Sequence, residues 1–192
     1  MTFDAANGNV FVLIQKKAVI TVINGSDDVI LKNITLESSN VPTSILFIPS
    51  SDSLYTAWLQ SSNITVMNAS NLSFSKNITL PGALISSMIY DPANGYAYIA
   101  SLDSNIFIVN AKNNTYLTYI PVGSGPFSMV LVASTNTVFD YNEISSSISE
   151  ISQLEPAKTF ASFPTVEIYG AVAAAFVVTV AVGGYIYFKK KH

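Results

Sequence analysis

The stretch IYDPANGYAYIASLDSNIFIVNAKNNTYLTYIPVGSGPFSMVLV, residues 89–132, shows the clearest secondary-structure pattern in the chain. It contains short segments rich in β-branched and aromatic residues. Turn-forming sequences separate them, such as DPANG at residues 91–95 and GSGP at residues 123–126. Segments and turns of this kind are typical of β-strands joined by tight connections. The stretch therefore predicts consecutive strands.

The same pattern recurs along the chain at intervals of about 43 residues. An aromatic residue marks one segment of each repeat: Phe11, Tyr55, Tyr98 and Phe139. The next segment of each repeat ends at Asn24, Asn68, Asn110 and Ser152, with nearly the same spacing. Four strands in each such interval is the spacing of a β-propeller blade. We therefore predict an all-β propeller of four recognisable four-stranded blades, either complete or part of a larger ring.

Residues 89–132 resemble the YVTN-type propeller repeat of archaeal and bacterial surface-layer proteins. In that pattern an Asp-Pro-x-Asn-Gly turn leads to a tyrosine-rich strand, then to a strand ending in Val-Asn, then to Ile-Pro-Val-Gly and a proline, as here. The first two repeats match less fully, and the fourth has STN at residues 134–136 in place of the turn. The resemblance covers residues 3–163 and implies a fold rather than an activity.

A second signal is the uncharged, apolar run at residues 168–188, which would measure roughly 31 Å as a helix. This length predicts one transmembrane α-helix, although a helix buried in a globular core is the alternative. Aromatic residues lie near both ends, and Lys189, Lys190 and Lys191 follow at once. By the positive-inside rule, the C-terminus is predicted to be cytoplasmic and the preceding residues extracellular.

These signals divide the chain into an extracellular propeller, a linker, a span and a tail. The predicted boundaries are 1–163 for the propeller (blades at about 1–40, 41–80, 81–125 and 126–163), 164–167 for the juxtamembrane linker, 168–188 for the transmembrane helix and 189–192 for the cytoplasmic tail.

Small residues recur every four positions within the predicted span. They are Ala171, Ala175, Thr179 and Gly183. Such a stripe lets another helix approach closely, but small residues are also common in any membrane helix. Both interpretations stay open.

Seven Asn-x-Ser/Thr triplets precede the span, which would place them on the exterior where N-linked glycans are attached. They begin at Asn24, Asn33, Asn63, Asn68, Asn71, Asn77 and Asn113. Four of the seven fall within residues 62–79. Chance is the alternative for any single triplet in a chain rich in Asn, Ser and Thr. As a set they predict a glycosylated outer edge of one blade.

Residue types needed for catalysis are scarce. The chain has no cysteine and a single histidine, His192, beyond the predicted span, so neither a Ser-His-Asp triad nor a His/Cys metal site is expected in the propeller. Acids near turns lack the spacing of a calcium loop, and aromatic residues at blade spacing are more typical of packing between blades than of a sugar-binding face. The acidic exterior also disfavours nucleic acid. We expect no enzyme activity, no cofactor and no metal.

The sequence therefore predicts a single-pass cell-membrane glycoprotein of the surface-layer type, acting as a structural or binding module. Its expected partners are the membrane, N-linked glycans and either other protein subunits or further copies of itself. The alternative is a non-catalytic accessory subunit of a membrane enzyme or transport complex that docks through its transmembrane helix.

Overall fold

The computed structural model describes residues 1–36 and 40–152, and also the backbone of three short strands further on, Val166–Glu167, Val180–Ala181 and Tyr185–Ile186. Within these residues all regular structure is β, apart from two 3₁₀ turns at Gln15–Lys17 and Pro49–Ser51. The predicted all-β class is confirmed.

Four antiparallel four-stranded sheets follow one another along the chain, and within each sheet the strands lie in sequence order. Sheet 1 contains β1 (Thr2–Asp4), β2 (Asn9–Ile14), β3 (Val19–Asn24) and β4 (Val29–Thr35). Sheet 2 contains β5 (Pro42–Ile48), β6 (Ser53–Trp58), β7 (Asn63–Asn68) and β8 (Phe74–Thr79). Sheet 3 contains β9 (Ile85–Asp91), β10 (Tyr96–Ser101), β11 (Asn105–Asn110) and β12 (Thr115–Pro121). Sheet 4 contains β13 (Pro126–Val132), β14 (Thr137–Asn142), β15 (Ser147–Ser152) and β16 (Val166–Glu167).

The DPANG sequence forms the hairpin turn that its composition predicts. Asp91 Oδ1 accepts a hydrogen bond from the Ala93 N–H at 2.9 Å, and the Gly95 N–H donates to the Asp91 carbonyl at 2.9 Å. Gly95 has a φ of 76°, a left-handed conformation that glycine adopts without a steric cost. The DAANG sequence of the first repeat forms the same turn, with Gly8 also at 76°.

The second and third strands of sheets 2 and 3 are largely buried and apolar because both of their faces are covered. In β10, for example, Ala97 and Ile99 pack on sheet 2, while Tyr98 and Ala100 pack on sheet 4. Successive side chains of a strand point to opposite faces, so a strand buried between two sheets is apolar throughout. The outermost strand β12 instead alternates between exposed positions and positions that are half-buried or, at Ile120, buried.

Three apolar cores join the four sheets in sequence order, one for each pair of neighbours. The first strands of successive sheets contact one another, whereas the fourth strands barely do. The sheets therefore converge at β1, β5, β9 and β13 and fan outward toward β4, β8 and β12. This is a blade-like arrangement compatible with a propeller.

The C-terminal part is described only in short pieces. The fourth strand of sheet 4 is Val166–Glu167, in the segment predicted to be a linker, where it pairs with Ser147 and Ile148. Of the predicted span 168–188, the structure describes Val180–Ala181 and Tyr185–Ile186, which pair as strands β17 and β18. Elsewhere the predicted transmembrane helix, its small-residue stripe and the lysine cap lie outside the described residues. Among the residues that are described, no helix has the length and apolarity to cross a bilayer.

Candidate functional site

The sequons within residues 62–79 lie along the outer part of sheet 2, which we call the sheet 2 rim. Asn63 begins β7, Asn68 ends it, Asn71 lies in the following turn, and Asn77 lies in the outermost strand β8. Asn71 and Asn77 are exposed, while Asn63 and Asn68 are half-buried. No sequon asparagine is buried, since Asn24 is half-buried and Asn33 and Asn113 are exposed.

The sequon asparagines differ in how their side chains are held. A glycan is attached to the amide nitrogen, Nδ2. At Asn68 this atom donates a hydrogen bond to Asp52 Oδ2 at 3.0 Å, and its Oδ1 accepts from the Asn71 N–H at 3.0 Å. Both ends of the Asn68 amide are therefore occupied.

Four other sequon asparagines use only their oxygen, because a neighbouring hydroxyl donates to Oδ1; at Asn24 the donor is the Ser26 hydroxyl, at 2.8 Å. The Thr79 hydroxyl donates to Asn63 at 2.8 Å, and the Thr21 hydroxyl donates to Asn33 at 2.7 Å. At Asn113 the donor is the Thr115 hydroxyl of its own sequon, at 2.6 Å. Of the seven sequon asparagines, Asn77 is exposed and its side-chain amide makes no hydrogen bond with a described residue.

A groove of about 600 Å³ runs between the outer parts of sheets 1 and 2, and Asn63 and Asn77 line it. Trp58 and Phe74 contribute aromatic surface to the same groove. Phe74 is 63% exposed, whereas Trp58 is only 6% exposed and donates its indole N–H to the Thr65 hydroxyl at 2.8 Å. The groove brings together two sequons and one exposed ring, but Trp58 itself belongs to the core between the sheets.

Three of the four aromatic residues that mark the repeats, Phe11, Tyr55 and Tyr98, pack between sheets. Tyr55 and Tyr98 are 0% and 2% exposed, and burial raises the pKa of each hydroxyl, that of Tyr98 to about 12. These hydroxyls stay protonated at neutral pH and act as hydrogen-bond donors or acceptors, not as bases. They are part of the core.

A buried polar cluster at the interface of sheets 3 and 4 was not identified from the sequence. Asp140 and Asn142 lie two residues apart on β14 and are fully buried. Both carboxylate oxygens of Asp140 and the Asn142 Oδ1 have no hydrogen-bond donor among the described residues. Burial alone raises the Asp140 pKa from 3.8 to about 7. Alternation along β14 would have placed both residues on one face, but no local signal shows that this face is covered.

The acids considered as calcium ligands are dispersed. Asp52 and Asp91 hold turns, and Asp27, Asp28 and Asp103 are exposed in other connections. Within the described part of the chain, no three His, Cys, Asp or Glu side chains are grouped in a way that could hold a metal ion.

Comparison with known proteins supports the fold but assigns no family or function. No family model matches the chain, and no curated protein matches it. Among solved structures it is similar to the Kuenenia stuttgartiensis hydrazine synthase, with a TM-score of 0.68 and 16% sequence identity. The match covers 79% of this chain and 44% of the other, so this chain corresponds to less than half of that one. At this identity the likeness shows the fold alone, an all-β arrangement of propeller-like sheets.

Proposed function

We propose that this chain is a membrane-anchored extracellular glycoprotein whose propeller-like domain is a structural or binding module of the cell surface, of the YVTN and surface-layer type. One observation carries the proposal: every sequon asparagine lies in a turn or on a third or fourth strand, and none is buried. Sugars at these positions would project from the sheets without entering the three inter-sheet cores.

A glycan on the sheet 2 rim would protect the exposed edge strand β8 from pairing with other chains. β8 is the last strand of its sheet, so one side of its backbone has no partner strand in that sheet. Unpaired strand edges invite pairing with other chains, and a bulky polar group blocks such pairing. Phe74, which is 63% exposed on the same strand, adds to this hazard. Glycosylation at Asn77 would therefore keep β8 soluble at a crowded surface.

The anchor in this proposal depends on the sequence of residues 168–188 and the three lysines after it. In lipid, the proposal requires these residues to be helical, because a two-stranded pair such as β17–β18 would leave backbone groups unsatisfied in the hydrocarbon. Anchored in this way, the sheets lie outside and the lysines inside. The partners are then the bilayer, the attached glycans, and other subunits or further copies at the surface.

Protease protection of the full chain tests this sidedness. The chain, with a tag after His192, is expressed in cells that perform N-glycosylation, and intact cells are treated with protease. We expect the sheets to be digested, a small tagged fragment to survive, and an N-glycosidase to reduce the mass of the untreated protein. Loss of the tag with the sheets protected, or a fully water-soluble, unglycosylated chain, would overturn the proposal.

Changing the lysines gives a matched control. The triple substitution Lys189→Glu, Lys190→Glu and Lys191→Glu removes the charge bias that sets orientation while leaving the apolar run intact. We expect reduced glycan occupancy and a larger share of chains with the tag exposed. The same triple change made in the exposed lysines Lys16, Lys17 and Lys112 should leave the orientation unchanged.

A further inference from the structure

Each sheet has two faces, and the strand register shows which residues occupy equivalent places on them. We call the face toward the following sheet the trailing face and the face toward the preceding sheet the leading face. In the second strand of every sheet, the marker aromatic lies on the trailing face: Phe11, Tyr55, Tyr98 and Phe139. The first three are 0%, 0% and 2% exposed because they pack in the core shared with the next sheet. Phe139 is only half-buried.

The trailing face of sheet 4 lacks a partner among the described residues. On it, Val130 is 57% exposed and Tyr141 is 45% exposed. Ile148 and Glu150 complete this face, and both are half-buried. The equivalents of Ile148 in the other three sheets are Ile20, Ile64 and Ile106, each 0% exposed.

The leading face of sheet 1 is also apolar, and no sheet among the described residues covers it. Phe3 is 56% exposed, Ile14 is 38% exposed and Ile30 is 59% exposed, while Val10 and Val12 are half-buried. The three inter-sheet cores cover the leading faces of sheets 2, 3 and 4. Within the part of the chain that the structure describes, the four sheets thus form an arc with one uncovered apolar face at each end. Contiguous apolar patches of this kind mark interaction sites.

Phe3 occupies the position that receives the marker aromatic of a preceding sheet. It pairs across the strands with Val10, just as Phe47 pairs with Leu54 in sheet 2. Phe47 receives Phe11, with ring centroids 6.0 Å apart and planes 28° apart. Tyr90 occupies the same position in sheet 3 and packs in the core that contains Tyr55. In sheet 1, however, Phe3 has no preceding sheet among the described residues.

We propose that a second copy of this chain completes the ring, with Phe139 of one copy packed on Phe3 of the other and a twofold axis repeating the contact. The contact would continue the packing that joins sheets 1 to 2, 2 to 3 and 3 to 4. The described sheets of two copies supply eight blades, within the four to eight blades that propellers usually have, whereas those of three copies would exceed that number. Cyclic twofold assembly leaves neither apolar face uncovered.

The composition of the sheet 4 trailing face fits contact with another molecule. Tyr141 occupies the place of Ala57 and Ala100, and Glu150 the place of Val66 and Ile108. At these positions, a tyrosine and a carboxylate tolerate water in the separated state better than the alanine, valine and isoleucine of the internal faces do. Aromatic residues, tyrosine among them, are enriched where separate chains meet.

Site-specific cross-linking tests the contact, because the chain has no cysteine of its own. Full-length Phe3→Cys and Phe139→Cys variants are purified in mild detergent, mixed, and treated with a short bis-maleimide. We expect dimers in the mixture whose linked peptides join position 3 to position 139, and few dimers from either variant alone. Links of position 3 to 3 or of 139 to 139 would overturn the proposal. So would a variant carrying both cysteines that links within one chain, since the arc would then close on itself.

Light scattering of the chain without introduced cysteines measures the mass of the assembly and tests the same proposal independently. We expect a mass of two copies, and we expect Phe3→Glu to weaken the dimer at least tenfold. Phe74→Glu is the matched control, because Phe74 is similarly exposed but lies on β8, away from both end faces. A monomer at micromolar concentration contradicts the proposal. A dimer unaffected by Phe3→Glu also contradicts it, because the contact would then lie elsewhere, for example in residues 168–188.

Discussion

The hydroxyl of Tyr55 in sheet 2 donates a hydrogen bond to the side-chain oxygen of Asn114 in sheet 3. Asn114 lies in the turn between β11 and β12, and its amide nitrogen also donates to the Ser53 hydroxyl at 3.2 Å. One turn residue therefore ties two residues of β6, in the preceding sheet, to its own sheet. This polar link lies beside the apolar core that joins the same two sheets.

Removing the Tyr55 hydroxyl should measure that link. We expect Tyr55→Phe to lower the free energy of unfolding by about 1 kcal/mol, since the ring stays packed while the Asn114 oxygen loses its donor. Urea unfolding followed by circular dichroism gives the value. In a double-mutant cycle with Asn114→Gly, the two losses should not add, because both remove the same bond. Strictly additive losses would show that the bond contributes nothing.

Asn114 also has a backbone role that its substitutions separate. Its φ of 57° is left-handed, a conformation that asparagine and glycine adopt more readily than alanine. We expect Asn114→Ala to be less stable than Asn114→Gly by about 1 kcal/mol, although both lose the same side-chain bonds. The measurement is the same unfolding experiment. Equal stabilities would show that the turn relaxes without cost.

Glycan occupancy should follow the engagement of each asparagine side chain if transfer acts on the folded domain. We expect the highest occupancy at Asn77, and the lowest at Asn68, whose Nδ2 donates to Asp52. Mass spectrometry of glycopeptides measures each site. Asp52→Ala should raise the occupancy of Asn68 while leaving that of Asn113 unchanged. High occupancy at Asn68 in the unsubstituted chain would contradict the ranking.

The repeat in the sequence predicted the strands because propeller-like sheets are built from local antiparallel hairpins. The segments predicted to end at Asn24, Asn68, Asn110 and Ser152 end there as β3, β7, β11 and β15. Contacts between sheets were harder to predict, since they join residues that are far apart in the chain and depend on how the sheets stack. The link from Tyr55 to Asn114 is one example. The burial of Asp140 is another, because an aspartate next to Tyr141 and Asn142 is equally typical of an exposed strand end.

Gly123 shows how closely the connection before β13 approaches the polar residues of sheet 4. A methyl group built on it would lie 2.5 Å from the Ser147 hydroxyl oxygen and 2.6 Å from Asn142 Cγ. Both neighbours are fully buried, so we expect Gly123→Ala to cost about 1–3 kcal/mol through overpacking. Ser124→Ala, at the next position, is the control and should cost less. A Gly123→Ala variant as stable as the parent would mean that this cluster repacks freely.

The buried carboxyl of Asp140 should make stability depend on pH in an unusual direction. Because burial raises its pKa from 3.8 to about 7, the folded state holds a proton that the unfolded state releases. Its contribution to stability is therefore complete below about pH 3.8 and is lost as the pH rises toward 7. The slope from this group is at most about 1.4 kcal/mol per pH unit. We expect Asp140→Asn to remove this slope and to be more stable than the parent at pH 8.

Burial also raises the Glu150 pKa, so the parent and Asp140→Asn must be compared at every pH by thermal unfolding. Parallel stability curves from pH 4 to pH 8 would show that Asp140 is solvated in the folded state.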